Sequence, residues 1–253
     1  VKPSGCGTAL DGLRQSGSLK AMFPRGTGAE VQAILVNTAG GITGGDEFAI
    51  SARAAEGCRL TISTQAAERA YRAQVGEIGR LHSHLAVAAR ARLNWLPQET
   101  ILFDGCALER SLTADLDEGA AMLLVEPLVF GRAAMGEVLR SGLFRDRIEI
   151  RRAGALVHLD AVTLRGDIAG HLARPHVAAG MGAMATLVLA APGAASALQS
   201  LHAMLPATAG ASLVRDDLLL SRILAPDSHE LRRTLVPVLN HLTDNTLPRA
   251  WTI

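Results

Sequence analysis

For most of its length this chain alternates apolar and polar residues with a period of two, the pattern of strands with one face buried. Phe48, Ile50 and Ala52 alternate with Glu47, Ala49, Ser51 and Arg53. Cys58, Leu60, Ile62 and Thr64 alternate with Arg59, Thr61 and Ser63. The cleanest run is Arg80 to Trp95, with Leu81, Leu85, Val87, Ala89, Ala91, Leu93 and Trp95 on one face and Arg80, His82, His84, Arg90 and Arg92 on the other. Short strands are also predicted at 97–105 and 111–117. Ile148–Arg152 and Leu156–Leu164, separated by Ala153-Gly154, read as a hairpin.

Other segments break the period. Val31–Thr38 and Ala120–Phe130 are apolar runs suited to buried strands. No Asp, Glu, Lys or Arg occurs from Pro175 to Val214. The best membrane window there, Val177–Ala191, is shorter than the about 20 residues a span needs, holds Gly180 and Gly182, and stops at Pro192-Gly193. A buried strand at Thr186–Ala190 followed by a helix at Ala194–Leu205 is the expectation. Two more strands are expected at Ala211–Arg215 and Leu218–Leu224. Asp227 with Glu230 three positions on forms an N-terminal helix signal. Leu231, Leu235, Val238, Leu239 and Leu242 then recur at helical spacing, with Pro237 among them. The predicted fold is mainly β: many short antiparallel strands in a layered or extended sheet architecture, with about two helices in the C-terminal half. Residues 1–17, rich in Gly and Ser, are expected as a flexible lead-in, and 18–253 as a single domain.

Composition narrows the function classes. Net charge is +1 and aromatics are 3% of 253 residues, which argues against nucleic acid and anionic membranes as partners. Cys6, Cys58 and Cys106 are odd in number and have no CxxC spacing, so a disulfide framework is not expected and a reducing cytoplasm is. The N-terminus shows no apolar signal region and no initiating Met. HExxH, GxSxG and P-loop motifs are absent, and Gly180-Met-Gly-Ala-Met-Ala185 leads into a strand-like run rather than a dinucleotide-binding helix.

Gly40-Gly41-Ile-Thr-Gly44-Gly45-Asp46 stands out. Four glycines in six residues mark a backbone needing positive φ or a very close neighbour. A P-loop would close with Gly-Lys-Ser/Thr and open a helix; here Gly-Gly-Asp precedes a strand, so a hairpin with a wide turn is predicted. His82 and His84, at i and i+2, could reach one ion, but their face carries arginines and they read as solvated. Glu126 and Asp160 each interrupt an apolar strand, so each must be paired, hydrogen-bonded, protonated or wet.

The Gly-Gly-Asp run, Thr64-Gln65 through Tyr71-Arg72, Leu93-Asn-Trp95-Leu-Pro97-Gln98-Glu99, Gly131-Arg132 through Gly136-Glu137, and Leu247-Pro248-Arg249-Ala-Trp251 resemble the urease accessory protein D family, called H in some lineages. The matches run in order from about Ser18 to Ile253. The resemblance implies a β-rich, non-catalytic cytoplasmic scaffold. It would work with accessory proteins F and G (G being the GTPase), dock on urease apoprotein, and support nickel insertion through an internal water-filled route. Nickel would be handled transiently, with no tightly bound cofactor. Isolated carboxylates offer weak oxygen ligands suited to hand-over. Asp46, Glu126 and Asp160 are the candidates, with Gly40, Gly41, Gly44 and Gly45 as the structural turn. The competing expectation is a metal-dependent hydrolase in which these carboxylates are joined by His82, His84, His158, His171 or His176. Trp251 could anchor a partner or cover the core.

Overall fold

The computed structural model describes residues 1–26 and 29–252. The strands in chain order are β1 (Lys2–Ser4), β2 (Gly7–Ala9), β3 (Leu19–Met22), β4 (Val31–Asn37), β5 (Glu47–Ala54), β6 (Arg59–Thr64), β7 (Glu68–Ala70), β8 (Gly79–Val87), β9 (Arg92–Leu96), β10 (Thr100–Leu102), β11 (Cys106–Leu116), β12 (Ala121–Phe130), β13 (Gly142–Arg152), β14 (Ala155–Arg165), β15 (Ala183–Ala190), β16 (Ala209–Arg215) and β17 (Leu218–Ala225). Helices α1 (Ile168–Leu172), α2 (Leu198–Met204) and α3 (Ser228–Leu242) lie in the C-terminal part. The mainly-β expectation holds.

Two large sheets stack face to face. One runs β16-β17-β15-β12-β9-β6-β4-β3, with β10 and β7 attached beside β12; the other runs β14-β13-β11-β8-β5. From β4 to β13 the chain crosses repeatedly from one sheet to the other. Each strand therefore lands parallel to its predecessor in that sheet: β4, β6, β9 and β12 in the first, and β5, β8, β11 and β13 in the second. This solenoid-like winding corrects the expected antiparallel order, which is confined to the flanks. It also corrects the expected hairpin at the glycine run, because β4 and β5 belong to different sheets.

The glycine run is the corner between the sheets. Gly40 and Gly45 have φ of 82° and 83°. Gly41 needs space instead, since a Cβ there would sit 2.7 Å from the Arg69 carbonyl oxygen and 2.2 Å from Tyr71 Cε2. The Asp46 carboxylate closes the corner, its Oδ2 accepting from Thr43 N–H at 2.8 Å. The Arg80–Trp95 alternation likewise spans two strands: β8 ends at Val87, Arg90 turns the chain with φ 58°, and β9 starts in the other sheet. One apolar phase persists because both strands face the same inter-sheet layer.

Burial explains the two sequence textures. The outer face of the five-stranded sheet is open to water, and β11 alternates buried and half-buried without a break. The outer face of the larger sheet is covered by α2, α3 and the C-terminal tail, so β12 and β15 are buried on both sides and read as continuous apolar runs. The Ala153-Gly154 turn of the β13–β14 hairpin is as expected, with both residues at positive φ. Asp227 caps α3, accepting from Glu230 N–H at 2.9 Å. The helix expected at 194–205 begins as a 3-10 turn at Ala194–Ala197 and continues as α2. Trp251 covers the core: it is 1% exposed and its Nε1–H donates to the Leu96 carbonyl at 3.0 Å. Residues 1–17 start with the β1–β2 hairpin, which docks on the body through Val1 and Arg53 and through Thr8 and Arg59. Among the described residues no helix is long and apolar enough to cross a membrane.

Candidate functional site: a polar layer between the sheets

The apolar filling between the sheets is split in two. One part holds Leu112, Leu124, Ile148 and Val188, and the other Leu108, Leu128, Phe144 and Leu164, with Met184 and Leu224 against it. Between them runs a row of polar side chains. Each is flanked two residues either side by apolar ones, as in Leu108-x-Arg110-x-Leu112, Leu124-x-Glu126-x-Leu128, Phe144-x-Asp146-x-Ile148, Met184-x-Thr186-x-Val188 and Leu220-x-Arg222-x-Leu224. Period two keeps all of them on the inner face. Register then sets them side by side, Arg110 opposite Asp146 in one sheet, and Glu126, Thr186 and Arg222 in a line across the other.

The centre of this layer is a buried charge cluster. The Arg110 guanidinium clamps Asp146 with two hydrogen bonds, Nε to Oδ1 at 2.9 Å and Nη2 to Oδ2 at 2.6 Å. Its Nη1 donates to Thr100 Oγ1 at 3.2 Å and lies 2.5 Å from Glu126 Oε2. The last contact is charge to charge and leaves Oε2 without a hydrogen bond. Glu126 Oε1 accepts from the Trp95 indole N–H at 2.7 Å. Arg110, Glu126 and Asp146 are 6%, 5% and 9% exposed at their side chains, so one cation faces two carboxylates shielded from bulk water. Burial pushes the Glu126 carboxyl up, against the pull of Arg110, and the Asp146 charge adds to the rise. For Arg110 burial acts to lower the pKa, but Asp146 and Glu126 outweigh it and hold the guanidinium firmly charged.

Beside the cluster lies a cavity of about 50 Å³, bordered by Glu126, Arg110, Trp95, Thr64, Ser83 and Glu68 among apolar neighbours. That is room for a few water molecules, and these groups supply hydrogen-bonding partners. Burial raises the Glu68 carboxyl, while Arg69 N–H and the Asn37 amide, donating to it, and the Arg69 charge oppose the rise; the Asp46 charge adds to it. At the other end of the layer Asp160, on β14, reaches Arg222, on β17, with Arg222 Nη2 donating to Oδ2 at 2.7 Å.

Segments far apart in sequence also meet at the glycine corner. The Tyr71 hydroxyl donates to the Gly40 carbonyl at 3.2 Å, and the Tyr71 ring meets Phe103 edge-on at 5.0 Å. The Arg132 guanidinium lies 4.1 Å from the Phe103 ring centroid and is clamped by Glu137. A family model described as UreD urease accessory protein matches residues 1–252. The chain belongs to the UreD urease accessory protein family. It is 55% identical to a urease accessory protein UreD of Ruegeria pomeroyi over all of this chain and 98% of that one. Identity is 51% to the Roseobacter denitrificans UreD, over 97% of this chain and 89% of the relative. A UreD of Ruegeria sp. strain TM1040 is 52% identical over 96% and 84%. This UreD-family chain is thus an accessory protein with a role in urease maturation.

In the UreD-family chain, the three carboxylates singled out from sequence occupy different places. Glu126 is in the buried cluster, Asp160 is at the far end of the same layer, and Asp46 is spent on the corner turn while sensed by Glu68. They do not form one ligand shell, and among the described residues no three His, Cys, Asp or Glu side chains converge as metal ligands. Nor does the fold gather the histidines a hydrolase would need. His82 and His84 lie on the outer face of the five-stranded sheet, bonded to Ser111 at 2.8 Å and Asp115 at 2.9 Å. His158 is on β14, His171 on α1, and His176 follows α1. Sequence reasoning missed Arg110 and Asp146. The available signal was a charge standing in the inward phase of an alternating strand, as Arg110 does between Leu108 and Leu112.

Proposed function

We propose that this UreD-family protein is a non-catalytic cytoplasmic scaffold. It acts with accessory proteins F and G, docks on urease apoprotein, and supports delivery of nickel to the urease active site. The supporting observation is the polar layer itself. A row of hydrogen-bonding and charged groups, with a cavity beside it, lies between the two apolar halves of the inter-sheet filling. Keeping two carboxylates and a guanidinium out of water is a poor way to gain stability, whereas such a row suits passage of a hydrated cation. Asp46, Glu126 and Asp160 are the proposed transient oxygen ligands along the path. Oxygen donors one at a time hold a borderline divalent ion weakly, which favours release onward over capture.

The test is co-expression with F and G from the same source, size-exclusion chromatography with light scattering, and nickel-dependent activation of urease apoprotein. A stable complex is expected. The triple variant Asp46→Asn, Glu126→Gln, Asp160→Asn is expected to assemble normally yet activate urease poorly. A folded monomer that ignores both partners overturns the scaffold, and normal activation by a folded triple variant overturns the path.

A further inference from the structure

A groove of about 770 Å³ lies where the outer face of β5, β8 and β11 meets the stretch 13–21, which leads into and forms β3. Register builds its floor. Ala49, His82 and Ser111 stand abreast on the three strands, and Ser51, His84 and Thr113 form the next row. Period two turns both rows outward, because Ile50, Ser83 and Leu112 between them face the core. Ala49 and Ser51 are small, and His82 and His84 beside them are exposed. The stretch 13–21 is tied down. Thr38 N–H donates to the Ser18 carbonyl at 3.0 Å, Ala21 N–H donates to Gln15 Oε1 at 2.6 Å, and β3 pairs with β4. It brings Arg14 and Lys20 to the groove. Both are exposed, and among the described residues neither forms an ion pair.

Among the described residues no Asp or Glu lines this groove. The carboxylates on the same sheet face are engaged: Glu149 by Arg147 and Arg151, Glu47 by Arg80 at 3.6 Å, and Asp115 by His84, whose Nε2–H it accepts at 2.9 Å. His82 Nδ1 and Ser111 Oγ lie 2.8 Å apart. A neutral imidazole and a hydroxyl carry one polar hydrogen each. Their mutual bond uses one, so the pair keeps a donor whichever way that bond runs. We infer that the groove is a binding site for a small organic phosphate. Arg14 and Lys20 supply charge, and the His82–Ser111 pair and the Ser51 and Thr113 hydroxyls supply donors to phosphate oxygens. Leu13, Leu19 and Leu35 line the groove as well, which suits a carbon body attached to the phosphate.

The experiment is NMR of the full chain labelled at histidine Cε1, titrated at constant pH with phenyl phosphate, inorganic phosphate or sodium chloride at matched ionic strength. His82→Gln and His84→Gln each assign one signal by its disappearance. Phenyl phosphate is expected to shift both signals saturably and to leave His158 and His202 unmoved. Inorganic phosphate is expected to need about tenfold more, because it buries no apolar surface. The double variant Arg14→Gln, Lys20→Gln removes two charge-assisted contacts and is expected to raise the half-saturation point by about tenfold or more. Both side chains are exposed, so the unmoved His158 and His202 signals report that this variant is folded. Shifts that sodium chloride reproduces overturn the site, and so does a folded double variant that binds as well as the unsubstituted chain. Inorganic phosphate binding as tightly as phenyl phosphate overturns the organic ligand in favour of the free anion. A triglutamate peptide that displaces phenyl phosphate at a lower concentration overturns it in favour of an acidic protein segment.

Discussion

Arg110 decides how the interior of this protein is wired. It touches Asp146, Glu126 and Thr100 from a position 7% exposed, and its guanidinium carbon also lies 5.6 Å from the Phe144 ring centroid. Removing the cation that faces both buried carboxylates strands their charge. Arg110→Leu is therefore expected to cost about 3–5 kcal/mol, read as a lowered urea midpoint. A loss below about 1 kcal/mol would mean that water already screens the cluster. Glu126→Gln is the milder change, since the amide oxygen can still accept from Trp95 and Asp146 still pairs Arg110.

Corners rather than strands hold the winding together, and the β10–β11 corner shows how. Asp104 Oδ1 accepts from Arg140 N–H at 2.9 Å and Ser141 N–H at 2.8 Å, while Arg72 Nη2 donates to Oδ2 at 2.9 Å. One side chain thus ties the β7–β8 connection and the approach to β13 to its own turn. The two backbone donors and Arg72 hold the Asp104 carboxyl below its ordinary value, against partial burial, which would raise it. Because the folded pKa is the depressed one, the stabilisation is complete above the unfolded value near 3.8 and drains away as pH falls through the lower native value. Asp104→Ala is expected to lose about 1–3 kcal/mol near neutral pH. The gap to the unsubstituted protein should shrink in urea melts near pH 3. An equal gap at both pH values would show that the carboxylate charge contributes nothing.

For the molecule as a whole, stability should be graded from centre to flanks. β9 and β12 have strand partners on both sides, and their side chains are buried on both faces. β16 is an edge strand, half-buried to exposed throughout. Amide exchange followed by mass spectrometry should therefore be slowest in β9 and β12 and faster by orders of magnitude in β16. Uniform protection across the large sheet would mean that the layers open as one unit.

Local order was open to reading because its causes are local. Alternation placed β5, β6 and β8, Ala153-Gly154 located the hairpin, Asp227 and Glu230 marked the start of α3, and the glycine run showed where the chain must bend sharply, while the single long β11 reads only as a short strand at 111–117. The motif set around these elements already pointed to the UreD family. Direction and neighbourhood were not available in the same way. A period of two says which face a residue joins but not which strand lies beside it, so a sheet corner at Gly40–Asp46 looked like a hairpin, and parallel winding like a meander. The polar layer is the plainest case. Glu126 and Asp160 were visible as charges in apolar strands, yet their partners Arg110 and Arg222 lie 16 and 62 residues away. Only stacking the two sheets, which aligns these inward positions at one level, brings the polar residues of β11, β12, β13, β14, β15 and β17 together. The sequence by itself determined where strands, turns and caps fall; tertiary structure alone decided which charges share the space between the sheets, because that depends on register between segments that have no local contact.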